Sequence, residues 1–184
     1  MNASGGKSIG ILNSASNKAL YLETPAMMQW GIKDWEGNEK YNMTLQFYNP
    51  DYEENPEQEA FLSNLHAFED KIKKDAVKNS KEWFGKPTMN ADMVEVLFSS
   101  KLKYPKDKNT QEPIPGKKPT VDVRVPYYDG KWGSEVYDTD GQCLFPSDDA
   151  ETTPQSLVAK GSRVVCCIQC GGLWFANGKF GVTW

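Results

Sequence analysis

Two kinds of hydrophobic periodicity divide this chain. In several short stretches every second residue is apolar, as in strands that turn one face toward a core. Between residues 55 and 85 apolar residues recur every three or four positions instead, which is typical of a helix. No repeating strand–helix–strand rhythm follows, so a parallel sheet is not expected. The pattern predicts a mainly β domain with one long helix inserted after an early strand.

The alternating stretches predict where the strands lie. They cover residues 41–47, 93–104, 120–128 and 164–170, with shorter runs in "KWGSEVYD" and "QCLF". Turns are expected at Asp129-Gly130 and Asp140-Gly141, and Asn177-Gly178 is a strong signal for a two-residue hairpin. Gly171-Gly172 indicates a bulge or a sharp bend. Five or six short strands with glycine corners predict a small closed or nearly closed β-barrel.

Capping residues set the limits of the predicted helices. Asn55 can cap the long helix, Pro56 suits its first turn, Gln58 would complete a capping box, and Gly85 ends it. One short helix is expected from Thr153-Pro154 to residue 160. Residues 1–18, rich in Ser, Asn and Gly, are expected to form a flexible N-terminal arm, and residues 19–184 a single domain.

The end of the chain, "VVCCIQCGGLWFANGKFGVTW", raises the question of a metal site. Cys167 and Cys170 have a metal-ligand spacing, but no second pair exists, and Cys143 stands alone. The alternation instead predicts Cys166 and Cys170 as buried, reduced thiols beside Ile168. Trp174 and Phe175 should point to opposite faces of a strand, and we expect Trp174 to be the exposed ring.

Charge is unevenly distributed along the chain. The formal net charge is −4, which by itself disfavours nucleic acid as a partner. From Lys71 to Lys131, however, there are 14 lysines and arginines against 8 acidic residues, and the remainder has 7 against 17. An acidic total can therefore conceal a basic surface. A solvated helix face and a solvated loop would account for part of the same excess.

Aromatic residues are interleaved with this basic segment. Binding of single-stranded nucleic acid needs both features, because cations follow the phosphates and bases stack on rings. Some of the rings are expected to be core. The candidate binding residues are Lys101, Lys103, Tyr104, Lys117, Lys118, Arg124, Tyr127, Tyr128, Lys131, Trp132, Trp174 and Lys179.

Sequence motifs for catalysis are not found in this chain. Phosphate loops, nucleotide-binding glycine fingerprints, serine elbows and HExxH motifs are missing, so we expect no enzyme, catalytic residue, metal or cofactor. Asp148, Asp149 and Glu151 form an acidic cluster that is interpreted as a solvated loop. His66 is expected on the helix surface or in the core. The start lacks an apolar signal region, and no apolar run is long enough to span a membrane, so an intracellular location is expected.

Two stretches of the second half carry a resemblance to a known family. "VRVPYYDGKWGSEVYDTDGQCLFP" and "KGSRVVCCIQCGGLWFANGKFGVTW" resemble the single-stranded-DNA-binding proteins of large nucleocytoplasmic DNA viruses of algae and protists. That family is similar to the replication single-strand binding proteins of short-tailed bacteriophages. The likeness covers about residues 19–184 and is strongest over the last sixty or so.

The resemblance implies an OB-fold barrel and a sequence-tolerant DNA binder in viral replication, recombination or repair. It places the protein in the host cytoplasm or nucleus, at the site of viral replication. Family members carry an acidic C-terminal tail that contacts replication proteins. This sequence stops at Trp184 without such a tail, as if cut before it, so contacts to viral replication proteins are expected through a tail that is absent here. A homodimer is one assembly that the sequence allows.

Alternatives from other functional classes remain open. A β-rich domain for protein interaction, carbohydrate binding or virion structure would also expose rings, but its binding would depend little on salt. A small metal-dependent nuclease using Asp148, Asp149 and Glu151 would degrade DNA in the presence of a divalent ion.

Overall fold

A computed structural model describes residues 7–47 and 55–184, and this part of the chain is mainly β. Most strands are short. In chain order they are β1 (Lys7–Ile9), β2 (Tyr21–Glu23), β3 (Met27–Asp34), β4 (Tyr41–Gln46), β5 (Phe98–Ser99), β6 (Leu102–Lys103), β7 (Thr120–Arg124), β8 (Tyr127–Tyr128), β9 (Lys131–Trp132), β10 (Val136–Tyr137), β11 (Cys143–Phe145), β12 (Arg163–Val164), β13 (Cys167–Gln169), β14 (Leu173–Ala176) and β15 (Lys179–Val182).

Four helices lie in the described part, one long and three short. They are α1 (Pro56–Lys78), α2 (Ser80–Phe84), α3 (Ala91–Leu97) and α4 (Pro154–Leu157). The single long helix is confirmed, whereas the sequence predicted only one short helix besides it. No helix among these residues is long and apolar enough to cross a membrane.

The strands form two main sheets. One has five strands in the order β12-β3-β4-β7-β6, and the other has four in the order β1-β14-β15-β5. The pairs β2–β13, β8–β9 and β10–β11 form separate two-stranded sheets. Across residues 7–47 and 55–184 none of these sheets closes into a barrel. The mainly β class is confirmed. The sequence predicted a closed or nearly closed barrel, and the structure has open sheets instead.

Two connections join the main sheets at one side. β5 and β6 follow each other in the chain with only Ser100 and Lys101 between them. The backbone N–H of Arg124, at the end of β7, donates to the carbonyl oxygen of Trp184, just beyond β15, at 2.8 Å. The four-stranded sheet therefore continues into the β7–β6 edge of the five-stranded sheet.

The alternation predicted for the strands is visible as alternating burial. On β4 and β7, Met43, Leu45, Val121 and Val123 are buried, and the residues between them are more exposed. Near the chain end, Ile168 and Cys170 are buried and Cys166 is half-buried, whereas Cys167 is exposed. The packing of Cys166 and Cys170 as core is therefore confirmed.

Helix α1 begins as the sequence predicted. The side chain of Asn55 accepts hydrogen bonds from the backbone N–H groups of Glu57 and Gln58, at 3.0 and 3.2 Å. The predicted capping box is not formed, because the amide of Gln58 turns inward and donates to the carbonyl oxygen of Ala26 at 2.7 Å. The apolar stripe of α1 faces the core. The helix stops at Asn79, and a separate α2 continues to Gly85, which adopts φ +67°.

The strand predicted over residues 93–104 is wrong in its first half. Residues 91–97 form helix α3, because the side chain of Asn90 accepts from the backbone N–H of Met93 at 2.8 Å and caps a helical turn. Only Val94 of this helix is buried. The alternation of apolar residues before Phe98 therefore reflected chance spacing in a short, mostly exposed helix, and strands begin at β5.

The N-terminal arm predicted for residues 1–18 is described only from Lys7. From there the chain belongs to the fold, because β1 pairs antiparallel with β14 and a bridge joins Leu12 to Ala19. Residues 1–6 lie outside the described residues. The short helix after Thr153 is confirmed and includes a reciprocal Thr153–Ser156 capping box, but it ends at Leu157.

Both signals in the final stretch are confirmed. Asn177 and Gly178 have φ values of +51° and +73°, as a type I′ turn requires, and they connect β14 to β15. Gly172 has φ +83°, and a Cβ atom there would overlap the carbonyl oxygen of Ile9. Glycine is needed at this bend because β1 passes too closely for any side chain.

Candidate nucleic-acid interface

The outward side of the five-stranded sheet is a polar surface rich in cations. On β3, β4, β7 and β6 the residues that alternate with the buried ones face away from the core. We call this surface the basic sheet face. Its residues are Met28, Trp30, Lys33, Asn42, Thr44, Gln46, Lys101, Lys103, Thr120, Asp122 and Arg124.

Strand register arranges this face in cross-strand rows. Lys33 pairs with Asn42, and Asn42 pairs with Arg124, so one row carries a cation at each end. A second row ends at Lys103, which pairs with Thr120. It begins at Arg163 of β12, which pairs with Met28. The cations thus border the face, and its middle is uncharged except for the Asp122 carboxylate on β7.

The one acidic residue on the basic sheet face is Asp122, and its carboxylate accepts a hydrogen bond from the same face. Asp122 lies opposite Thr44, whose hydroxyl donates to the Asp122 carboxylate at 2.6 Å. Lys101 is half-buried next to this row, and its backbone N–H donates to Glu69 of α1 at 2.9 Å. Burial lowers the pKa of the Lys101 ammonium below its ordinary value, and the nearby Asp122 carboxylate partly opposes this shift.

Tyr128 extends the face at its β7 end. Its ring is 58% exposed, and the Arg124 guanidinium lies 5.2 Å from the ring centroid. Lys131 is the strand partner of Tyr128 across the turn at Asp129 and Gly130, whose φ values are +51° and +76°. An exposed ring between two cations is the arrangement on which a base can stack while its phosphates are neutralised.

Tyr127 and Trp132, also predicted as binding residues, lie on the other side of the β8–β9 hairpin. Their ring centroids are 4.9 Å apart, and both pack against Tyr41, at 5.0 and 4.4 Å. All three rings are half-buried. This cluster anchors the hairpin, and Tyr128 rather than Tyr127 is the ring that points outward, as expected for adjacent residues on a strand.

Two predicted residues at the Pro/Lys-rich loop, residues 105–119, contact helix α1. The Lys118 ammonium lies 2.7 Å from the carboxylate of Glu59, and the Tyr104 hydroxyl lies 2.9 Å from His66 Nε2. Burial raises the pKa of Tyr104. Lys117 is exposed in the same loop. The loop is ordered internally, since the backbone N–H of Asp107 donates to Glu112 and a bridge joins Lys106 to Pro113.

Trp174 and Lys179 share the outward side of the β14–β15 hairpin, which we call the hairpin face. Trp174 is flanked in its row by Ser8 and by Gly181, and Ser99 follows Gly181. A Cβ atom on Gly181 would lie 2.9 Å from Cζ2 of Trp174, so the indole lies across the glycine. Trp174 is half-buried, as is Phe175, so the greater exposure expected for Trp174 is not seen, although the two rings lie on opposite faces as predicted. Phe175 points inward and packs on Phe180, with centroids 5.8 Å apart.

The two faces adjoin. Ser99, at the end of the Trp174 row, is followed after one residue by Lys101 on the basic sheet face. The Arg124–Trp184 hydrogen bond ties the β15 end of the hairpin to the β7 end of the sheet. A bound chain could therefore contact Arg124, Lys101 and Trp174 on one continuous surface.

The cysteines and the acidic cluster are the two groups in which the sequence raised the question of a metal site. All four cysteines are free thiols, and burial raises the pKa of Cys166 to about 11. The Asp149 carboxylate accepts hydrogen bonds from the Glu151 N–H and the Thr152 hydroxyl, at 3.1 and 2.7 Å. In residues 7–47 and 55–184 no three His, Cys, Asp or Glu side chains group so as to hold a metal ion.

Several residues of this interface were missed in the sequence. Trp30, Lys33, Lys160 and Arg163 are exposed at or beside the basic sheet face. β3 was not predicted, because a bulge at Trp30 and Gly31 interrupts its alternation. The run of buried Met27, Gln29 and Ile32 could have indicated the strand only if a glycine bulge had been allowed.

Comparisons with protein-family models, curated proteins and solved structures found no match.

Proposed function

We propose that this chain binds single-stranded DNA without sequence preference, along the basic sheet face and the adjoining hairpin face. The observation that carries the proposal is the basic sheet face itself. Its register sets Lys33, Arg124, Lys103 and Arg163 around a centre whose one charged side chain is Asp122, with the exposed ring of Tyr128 at one end. Cations along a groove combined with exposed rings are the physical requirement for binding single strands.

Among the described residues the site has no group of metal ligands that would act on the bound strand. The proposed role is non-enzymatic: it protects or presents single strands during viral DNA replication, recombination or repair. The resemblance of residues 123–146 and 160–184 to viral single-strand binding proteins supports this role. With it come the proposals of a host cytoplasmic or nuclear location and of contacts to replication proteins through a tail that this sequence does not contain. A homodimeric assembly is a further proposal.

A barrel of the OB type is part of the proposal. Its support is that the two main sheets run into each other at β5–β6 and at the Arg124–Trp184 hydrogen bond. At the opposite side the chain passes from β12 through β13 and the Gly172 bend to β14. The strands would then form one strongly bent, partly open barrel, with the proposed binding surface on its outer side.

The test is a titration of the protein with a labelled oligothymidine at several salt concentrations, alongside a duplex of equal length. Neutralisation of four phosphates would give a slope of about −2.8 in log affinity against log salt, or about a 50-fold loss between 50 and 200 mM salt. Single strands should bind more tightly than duplex, whose base faces are hidden. Equal affinity for both forms, or binding that is insensitive to salt, would favour a protein-interaction domain instead.

A further inference from the structure

A buried glutamine holds a distant turn against strand β3. Gln29 has no exposed surface, and its side-chain amide donates to the carbonyl oxygen of Ala159 at 2.6 Å and to the hydroxyl of Ser162 at 2.8 Å. Its backbone also bonds this turn, because the N–H of Gly161 donates to Gln29 and the N–H of Gln29 donates to Ser162. The side-chain oxygen of Gln29 accepts a hydrogen bond from the backbone N–H of Gly31.

This network fixes the position of Lys160 relative to Trp30. Ala159 and Gly161, the residues on either side of Lys160, are both hydrogen-bonded to Gln29. The Lys160 ammonium lies 5.8 Å from the centroid of the Trp30 ring. A buried amide costs free energy unless its hydrogen bonds are satisfied, and here they are satisfied by the turn. The Trp30–Lys160 pair is thus preorganised.

The pair lies on the basic sheet face. Strand register places Trp30 and Gly31 together opposite Thr44, and this bulge leaves Trp30 facing outward and 39% exposed. Among the described residues no carboxylate lies within 4 Å of the Lys160 ammonium, and Arg163 is exposed on the neighbouring β12. Ring and cation are both available to a ligand.

We propose that Trp30 and Lys160 form a second nucleotide subsite, in which the indole stacks on a base and the ammonium pairs with the adjoining phosphate. This rests on the proposed single-strand binding and extends it across the sheet. Trp30 on β3 is two strands from Arg124 on β7, about 10 Å across the sheet, and about 7 Å along the strands, because Trp30 lies opposite Thr44 and Arg124 lies opposite Asn42. The bound strand then runs from Tyr128 to Trp30, and Gln29 is a positioning residue for the second subsite.

The experiment measures oligothymidine affinity and its salt dependence for Trp30→Ala and Lys160→Met. Trp35→Ala and Lys40→Met are the matched controls, because Trp35 is 61% exposed and both residues lie in the nearby β3–β4 turn, away from the Gln29 network. We expect Trp30→Ala to weaken binding about 5- to 150-fold, the loss of one stacked base. Lys160→Met should flatten the salt slope by about 0.7. The controls should leave both quantities unchanged.

The role of Gln29 is tested by a double-mutant cycle. Gln29→Met should weaken binding in the native background and have no further effect when Trp30 is already Ala and Lys160 already Met, whereas a merely structural role would cost the same in both. If Gln29→Met does not fold, Ser162→Ala is used in its place in the same cycle, because it removes a single hydrogen bond of the network.

The outcomes separate the two proposals. If Trp30→Ala and Lys160→Met bind like the native protein, while charge reversal at Lys103 and Arg124 still weakens binding, the second subsite is refuted and single-strand binding stands. If the native protein does not bind oligothymidine at all, both proposals fail.

Discussion

Lysines and arginines occur on two sides of this molecule in different surroundings. On the helix side, Lys71 pairs with Asp75 at 2.7 Å, Lys73 with Glu95 at 2.9 Å, and Lys118 with Glu59. On the basic sheet face, Lys33, Lys103 and Arg124 have no carboxylate within 4 Å among the described residues.

The difference shows why a count of basic residues along the chain does not locate a binding surface. Both groups fall largely within the same basic segment of the sequence. A cation that is already paired has to give up its carboxylate before it can neutralise a phosphate, whereas an unpaired one only releases solvent. The pairing, rather than the charge, distinguishes the two sides.

Charge reversal provides the largest contrast between these sides. Lys103→Glu with Arg124→Glu removes two phosphate contacts and adds two repulsions. Since each contact contributes about 0.7 to the salt slope, we expect about a 100-fold loss of oligothymidine affinity at physiological salt. Lys71→Glu with Lys73→Glu makes the same change of charge at two paired lysines of α1 and should alter affinity only a few-fold. Equal losses in the two variants, measured by fluorescence titration, would show that only net charge matters.

The hairpin face gives the next largest effect. Trp174→Ala should weaken binding by about 1–3 kcal/mol, because its ring lies outward across Gly181 and can stack on a base. Phe175→Ala should instead destabilise the fold by about 3 kcal/mol, since this ring packs among Phe84, Trp83 and Phe180.

Thermal unfolding and oligothymidine titration of both variants make the test. Trp174→Ala should keep the native unfolding midpoint and lose affinity. Normal binding by a folded Trp174→Ala would remove the hairpin face from the interface.

Local physics made much of the fold predictable from the sequence. Asn55 caps α1 and Asn177-Gly178 forms the last turn because each acts through backbone geometry within a few residues. The same holds for the alternation around Ile168. Where two local signals competed, at Asn90 and Met93, the cap prevailed over the alternation and a helix formed.

The candidate site was predictable only in part, because partners distant in sequence decide which residues are available. Alternation along β7 correctly turns Arg124 outward. Nothing near Lys118 in the sequence indicates that Glu59, on α1, engages it. Likewise, Gln29 and Ala159 are 130 positions apart, and only the folded chain brings Lys160 to Trp30.

Removal of one acid from each side sharpens the comparison further. Asp122 is the acid on the basic sheet face, and Asp122→Asn keeps an oxygen that can accept from Thr44 while removing a charge that repels phosphate. We expect affinity to rise about four-fold at physiological salt, the equivalent of one added cation. Glu59→Gln loosens Lys118 on the helix side and should change affinity less than two-fold. Tighter binding by Glu59→Gln than by Asp122→Asn would place the path of the DNA along α1.

The smallest effect concerns the pH dependence of binding through Lys101. Burial lowers the pKa of this lysine, so its ammonium loses its proton at a lower pH than an ordinary lysine. As pH rises toward the ordinary lysine pKa of about 10.4, the face loses the Lys101 charge first, and affinity should fall by up to about four-fold. An oligodeoxycytidine suits the measurement, because its bases do not ionise in this range. Lys101→Met should start with weaker binding and show a shallower decline between pH 8 and about 10 than the native protein, whereas Lys103→Met should retain the native decline. A native profile already flat over this range would mean that Lys101 stays turned toward Asp122 and contributes no charge to the bound strand.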